Sequence, residues 1–307
     1  MRIFLTGATG YIGGAVLDAL VRAGHDVTAL VRTSEKAKGV AKRGAHPVIG
    51  NLADPESFKG AAEAQDGYIH TAFDYSASGG PAVDRLAIDA LIAAAKRPRT
   101  SGGASTHRRF VIYTSGVWVL GKTPEPAAED APINPIAMVA YRPEHERRVL
   151  DAASDQLRTS VVRPGVVYGG GSGIVSDLFK SASNGLVRVI GDGNNHWPCV
   201  YDRDLADLYA RIAARDDAAG VYHANDEGDE RVNDIVSAIK PYLPVKPDVR
   251  YVPIEEARSK MGAYADALAL DQVVRSPRAR ALGWTPTLHS VAGNAARLLE
   301  EWRASRN

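Results

Sequence analysis

One short stretch constrains this chain more than any other. Arg2-Ile3-Phe4-Leu5 reads as a strand and runs directly into Thr6-Gly7-Ala8-Thr9-Gly10-Tyr11-Ile12-Gly13. From Ile12 to Ala23 apolar residues then recur at helical spacing until Gly24 ends the run. The three glycines have separate tasks. Gly7 permits a tight turn out of the strand, and Gly10 lets the backbone approach a ligand lying on the helix N-terminus. Gly13 allows the helix to pack closely against the strand. A helix start exposes backbone N–H groups without intrahelical partners, so an anionic group such as a pyrophosphate fits there.

The same alternation continues through the first half of the chain. Strands are expected at Val27–Val31, Pro47–Ile49, Gly67–Thr71, Phe110–Thr114 and Ser160–Arg163. Helices are expected at Pro55–Ala62, Pro81–Arg97 and from about Pro143 to Ala153. Strand, helix and strand in succession imply a parallel sheet with crossover helices. The fold class is therefore α/β: a Rossmann-type doubly wound parallel sheet over residues 1–165, followed by a smaller α/β C-terminal substrate lobe over 166–307. The two are expected to interleave near a cleft. Two segments read as irregular. Pro98–Arg109 is rich in Ser, Gly and Arg and reads as a surface loop. Gly121–Ala140 is rich in proline, follows a strand's carboxyl end and is expected to form one wall of a site.

Charge narrows the function classes. Lys and Arg number 37 against 36 Asp and Glu, a net charge of +1. Neither a nucleic-acid nor a membrane-surface partner has electrostatic support. No apolar run approaches the roughly 20 residues of a membrane helix. The lone Cys199 excludes an intramolecular disulfide, suits a reducing compartment and reads as a structural thiol. These features point to a cytoplasmic protein acting on a small-molecule substrate, with a homodimer compatible and no metal cluster implied.

The second strand decides which dinucleotide the glycine loop would take. Sites that prefer NAD place an acid at its end to bond the adenine ribose. Here the strand ends Leu30-Val31-Arg32-Thr33-Ser34, with no acid before Glu35. Arg32 can pair with a 2′-phosphate and stack on adenine, with Ser34 and Lys36 adding to the pocket. NADP(H) is therefore expected over NAD(H).

These residues resemble the NAD-dependent epimerase/dehydratase family, the extended short-chain dehydrogenases, whose fingerprint is TGxxGxxG. Six places agree in order. The fingerprint comes first, followed by Gly50-Asn51-Leu52, matching the segment that contacts adenine, and then by His70-Thr71-Ala72, matching the fourth-strand motif beside the cofactor. Tyr113-Thr114-Ser115-Gly116 through Gly121 matches the fifth-strand motif. Arg163-Pro164 through Val167-Tyr168-Gly169 matches the sixth, whose loop touches the nicotinamide in the family. Gly191-Asp192-Gly193 through Ala206, together with Ala281 to Pro286, matches the second lobe. The resemblance implies that Gly7, Thr9, Gly10, Tyr11, Ile12, Gly13, Arg32, Asn51, Leu52, Thr71, Ala72, Tyr141, His145, Pro164 and Val167 contact the cofactor.

The departures from the family bear on chemistry. The family pairs a catalytic Tyr with a Lys four residues on; the Lys holds the nicotinamide ribose and lowers the Tyr pKa from about 10. This chain has Tyr141-Arg142-Pro143-Glu144-His145, so His145 stands where Lys is expected. Pro143 suits a helix's first turn and not its interior, which places Tyr141 at or before the helix start. The family's hydroxyl position falls on Gly116, so Ser115 or Thr114 is the expected substitute. Val166 and Trp197 stand where nucleotide-sugar enzymes of the family place an Asn and a diphosphate-gripping Arg, which argues against a nucleotide-sugar substrate. Asp202 and Asp204 read as helix N-caps.

The expected activity is an NADP(H)-dependent oxidoreductase working on a small, fairly apolar carbonyl or alcohol. Two rival readings stand beside it: an epimerase or dehydratase with tightly held cofactor, and a redox-inert protein that senses NADP(H).

Overall fold

The computed structural model describes residues 1–75, 79–98, 108–243 and 246–306. The chain forms two compact units. One comprises Met1–Ser115, Tyr141–Arg163 and Ala206–Tyr222; the other comprises Gly116–Ala140, Pro164–Leu205 and His223–Asn307.

The first unit is organised by a seven-stranded sheet. In chain order its strands are β1 (Arg2–Thr6), β2 (Asp26–Val31), β3 (His46–Ile49), β4 (Gly67–His70), β5 (Arg109–Thr114), β6 (Leu157–Pro164) and β7 (Gly220–Ala224). In space the order is β7-β6-β5-β4-β1-β2-β3. Strands β1 to β6 pair in parallel, with Ile3 opposite Val27 on one side and Gly67 on the other. The strand order reverses beside β1, between β2 and β4. Open α/β sheets bind ligands at such a switch point, beyond the strands' carboxyl ends. Ile3, Phe4 and Leu5 are fully buried, as expected of a parallel strand covered on both faces.

The crossover helices are α1 (Tyr11–Arg22), α2 (Ser34–Ala41), α3 (Lys59–Glu63), α4 (Gly80–Lys96) and α5 (Arg142–Leu150). Helix α1 buries Gly13, Val16, Leu17 and Leu20 on one stripe and ends before Gly24, whose φ is +76°. Helix α2 has no counterpart among the sequence expectations. Only Val40 of its eight residues is buried, so no apolar stripe announces it; the Thr33 hydroxyl caps it by accepting from Lys36 N at 3.3 Å. The helix expected over Pro55–Ala62 is broken. A 3-10 turn at Pro55–Ser57 and the short α3 flank Phe58, whose φ of −128° lies outside helical values and whose buried ring stacks on Phe4 at 5.8 Å. The loop expected at Pro98–Arg109 falls mostly on residues 99–107, outside the described residues.

The second unit has a core of its own, built around Tyr168, Trp197, Tyr201, Ile235, Leu298 and Trp302. Its strand pairs are short. Val166–Tyr168 pairs with Cys199–Tyr201, His196–Trp197 with Glu230–Arg231, and Leu186–Ile190 with Asp248–Val252. Cys199 is buried in that core, where burial pushes its thiol pKa up and keeps it protonated, as befits a structural thiol. Asp202 and Asp204 do not act as N-caps. The helix already begins at Asp202, and the Asp204 carboxylate accepts from Thr287 N at 2.8 Å, Thr287 Oγ1 at 2.8 Å and Leu288 N at 3.2 Å. A nearby segment thus takes the carboxylate away from its own helix end. Among the described residues no helix is long and apolar enough to cross a membrane.

Candidate active site

The glycine loop lies where the switch point requires. Gly7 has φ +79°, and a Cβ there would fall 2.7 Å from the Ala72 backbone nitrogen. At Gly13 a Cβ would sit 2.1 Å from the Gly7 carbonyl oxygen, so only glycine lets α1 pack on the loop. Gly10 N donates to Gly7 O at 2.8 Å and closes the turn. No side chain caps α1 and its first turn holds no acid, so the helix start offers backbone N–H groups and positive dipole to an anion.

An open cavity of about 470 Å³ spreads from this loop along the carboxyl ends of β1 to β4. Its walls bring together Gly7, Thr9, Gly10, Tyr11, Ile12, Gly13, Arg32, Asn51, Leu52, Thr71 and Ala72, all named from sequence. Thr33 lines it beside Arg32 and Lys36; Ser34, the first residue of α2, does not. No residue of Gly121–Ala140, the proline-rich segment expected to wall the site, lines this cavity. The wall continues from Thr71 and Ala72 to Phe73, Asp74 and Tyr75. The donor set fits a dinucleotide: a glycine cradle that a Cβ would fill, an uncapped helix start, and a cationic end. The Arg32 guanidinium is exposed and has no ion-pair or hydrogen-bond partner among the described residues.

Beside the cavity sits an aromatic and ionic cluster. Phe73 stacks on Tyr141 with ring centroids 5.7 Å apart. Tyr141 is the N-cap of α5, and Pro143 occupies the helix's first turn, where its missing N–H costs nothing. His145 N reaches back to Tyr141 O at 3.5 Å, and the two rings meet edge to face at 5.2 Å. The one-turn stacking that Pro143 puts at risk is therefore realised. The half-buried Tyr141 hydroxyl accepts from Arg142 Nε at 3.3 Å.

His145 is itself buried and held from below. Its Nδ1 lies 2.7 Å from Asp84 Oδ2, which also accepts from the Tyr113 hydroxyl at 2.8 Å. Asp84 Oδ1 lies 3.0 Å from His70 Nε2, and His70 Nδ1 lies 2.6 Å from Thr6 Oγ1. Burial alone would raise the Asp84 carboxyl pKa. The hydrogen bonds from His145 and His70 outweigh it and hold the group well below the usual aspartate range. Helix α5 is further pinned by the buried Glu146, which takes Arg163 in a bidentate pair at 3.0 and 2.5 Å. Asp84, Tyr113, Arg142 and Phe73 were not found by sequence reasoning. Asp84 did leave a signal, as a lone acid on the otherwise apolar stripe of α4 with Val83, Ala87, Ile88 and Leu91.

The two hydroxyl candidates are distinguished. Thr114 Oγ1 is engaged with Tyr209 Oη at 2.6 Å. Ser115 Oγ is buried and has no partner among the described residues. A buried hydroxyl left without a partner costs about 1–3 kcal/mol; neither Ser115 nor Thr114 lines the cavity.

Several of the expected site residues lie outside this cavity. Tyr141 and His145 do not line the cavity; His145 is turned into the Asp84 hub instead. Pro164 and Val167 belong to the second unit. Tyr168, of the sixth-strand motif, and Trp197, aligned with the diphosphate-gripping Arg, are core residues. The Tyr168 hydroxyl donates to Asp226 at 3.0 Å, and Trp197 Nε1 donates to Leu268 O at 3.1 Å. Trp197 therefore says nothing about the polarity of a substrate, because its ring fills core volume.

The chain matches the model of the NAD dependent epimerase/dehydratase family over residues 3–225. An uncharacterised protein of Schizosaccharomyces pombe is 34% identical, the alignment covering 95% of this chain and 96% of the other. The 4-hydroxy-2-methyl-3-oxo-4-farnesyl-3,4-dihydroquinoline-1-oxide ketoreductase of Stigmatella aurantiaca is 26% identical, covering 84% and 78%. The crystal structure of a human epimerase family protein with NADPH superposes at a TM-score of 0.77 and 19% identity, covering 98% and 99%, which shows likeness of fold.

Proposed function

We propose, from the premise that the chain belongs to the NAD-dependent epimerase/dehydratase family, that it is an NADP(H)-dependent reductase of a small, fairly apolar carbonyl compound. The observation that carries the reading is Phe73, whose ring lines the glycine-loop cavity and stacks on Tyr141. A phenol that can give up a proton thus packs against a residue of the cavity wall. The apolar substrate is supported by the aromatic wall of Phe73 and Tyr75, 5.0 Å apart, and by the ketoreductase among the relatives.

A bound nicotinamide cofactor supplies hydride to the carbonyl carbon. The glycine loop and the start of α1 would hold its pyrophosphate, with Asn51 and Leu52 on the adenine side. Ser115 Oγ donates a hydrogen bond to the carbonyl oxygen. Tyr141 gives that oxygen its proton, becoming tyrosinate until solvent restores it. His145 orients the Tyr141 ring and is itself fixed by Asp84.

Preference for NADP(H) rests on Arg32, with Lys36 and the capped start of α2 beside it. Arg32→Ala is expected to weaken NADPH binding by about 10- to 100-fold, equivalent to the roughly 1.5–3 kcal/mol of a charge-assisted pair, and to leave NADH binding nearly unchanged. Fluorescence titration of both cofactors checks this; equal affinity of the wild type for the two would sink it.

The reaction itself is tested by following reduced nicotinamide while the purified protein meets a panel of small ketones and 3-oxo compounds. Consumption of NADPH in step with product supports the reading. Turnover without net consumption favours the epimerase or dehydratase alternative, and binding without turnover favours the cofactor sensor.

A further inference from the structure

We infer that Arg142 takes over the electrostatic task of the missing lysine, stabilising the tyrosinate form of Tyr141 from the adjacent position in the chain. The inference rests on the reading of Tyr141 as proton donor. Four residues on, where a lysine would stand, the chain has an imidazole committed to Asp84. No ammonium occupies that position. The guanidinium of Arg142 reaches the phenol instead, with Nε 3.3 Å from Oη, and it is the one cation hydrogen-bonded to Tyr141 among the described residues.

The local backbone explains how neighbouring residues meet. Side chains of consecutive residues inside a helix diverge by about 100°. Tyr141 is the N-cap and Arg142 the first helical residue, and Pro143 follows immediately, so the helix begins between the two side chains. The guanidinium carbon lies 6.0 Å from the Tyr141 ring centroid, at the hydroxyl edge. An arginine keeps its charge at every working pH and presents several donors in a plane.

The groups that face the phenol come from four elements. Arg142 and His145 share its helix, Asp84 sits on α4, Tyr113 on β5, and Tyr75 in the segment after β4. Burial pushes the Tyr141 phenol above its ordinary value, and Asp84 and Tyr75 add to that. Arg142 opposes all three through charge and hydrogen bond. Among the described residues, Arg142 is the one named above that favours the ionised form. Arg142 is thus a positioning residue that acts through Tyr141. Carbonyl reduction starts from the protonated phenol and alcohol oxidation from the phenolate, so the effect of Arg142 is read in the pH dependence of the rate.

The test compares wild type, Arg142→Gln, Arg142→Lys and Tyr141→Phe. The first readout uses protein labelled with carbon-13 at the tyrosine ring, without cofactor or substrate, with the Tyr141 resonance assigned by its loss in Tyr141→Phe. An opposite charge within hydrogen-bond reach moves a pKa by about 1–3 units, so Arg142→Gln is expected to move the Tyr141 titration up by at least about one unit. Arg142→Lys is expected to restore most of the shift. The second readout is the pH profile of alcohol oxidation, whose rise marks ionisation of the phenol. In Arg142→Gln that rise should move to higher pH together with the titration, and in Arg142→Lys it should move back. A residue with a merely structural role would lower the rate at every pH and leave both the profile and the titration in place. An unmoved Tyr141 titration in Arg142→Gln overturns the inference, as does an unmoved pH profile. If the titration shifts but Tyr141→Phe keeps full turnover, the Arg142–Tyr141 pairing stands and the reading of Tyr141 as proton donor falls.

Discussion

Tyr141→Phe is expected to lower carbonyl turnover by about 10²- to 10⁴-fold, the usual worth of a positioned general acid. The fold should hardly notice. Among the described residues the Tyr141 hydroxyl bonds only Arg142, and a phenylalanine keeps the stack on Phe73 at 5.7 Å and the edge contact with His145 at 5.2 Å. Stability should stay within about 1 kcal/mol, as for a half-buried polar contact. Cofactor affinity should also hold, because Tyr141 does not line the glycine-loop cavity. The comparison is therefore clean: kcat from NADPH consumption, NADPH affinity from fluorescence and melting temperature, all on one preparation. A variant that binds cofactor normally and still turns over at more than about a tenth of the wild-type rate would remove Tyr141 as the acid.

A second large effect is expected from the interior. Asp84→Ala removes the acceptor of three hydrogen bonds, from His70, His145 and Tyr113, at a site only 3% exposed. Donors left unpaired in a core are costly, so the loss should reach about 3–5 kcal/mol, enough to unfold a marginal domain. The same carboxylate gives the protein an acid-sensitive stability. Its pKa is depressed in the folded state below the ordinary aspartate value of 3.8. Its stabilising contribution is thus fully present above that value and fades as pH falls below about 4, because the unfolded chain then binds a proton that the folded chain resists. Melting temperature against pH should show a steep acid limb in the wild type and a shallower one in Asp84→Asn. An Asp84→Ala protein that melts within about 1 kcal/mol of wild type would show that the hub is not structural.

The resemblance that names Tyr141 and His145 does not reveal that they stand on a shared foundation. His145 and Asp84 are 61 residues apart, and His70 and Thr6 are 64 apart. No periodicity in a single segment encodes such pairings; they exist because β1, β4, β5, α4 and α5 converge. Ser115 and Thr114 pose the same problem at close range. They are equivalent in sequence, and it is Tyr209, 95 residues downstream, that engages one hydroxyl, while the other is buried without a partner among the described residues. Trp197 was the costliest inference from alignment alone. A substituted position aligned with a ligand-gripping residue need not face the ligand, and here the indole fills the second unit's core.

What the sequence determined by itself was what local sterics and periodicity control. Strands β1 to β6, helices α1, α4 and α5 to within a few residues, and the glycine loop all follow from apolar spacing and from the few positions only glycine can fill. Asn51, Leu52, Thr71 and Ala72 came from the family resemblance, and they line the cavity because they sit at strand ends that the parallel order places side by side. Tertiary structure alone decided the rest. It recruited Gly220–Ala224 as a seventh strand beside β6, packed Phe58 so that a helix broke, and buried Asp84 beneath Tyr141 and His145. The physical reason is common to all three. Each depends on which distant surface covers a segment, and burial and hydrogen-bond satisfaction are settled by that cover and not by the segment's own residues.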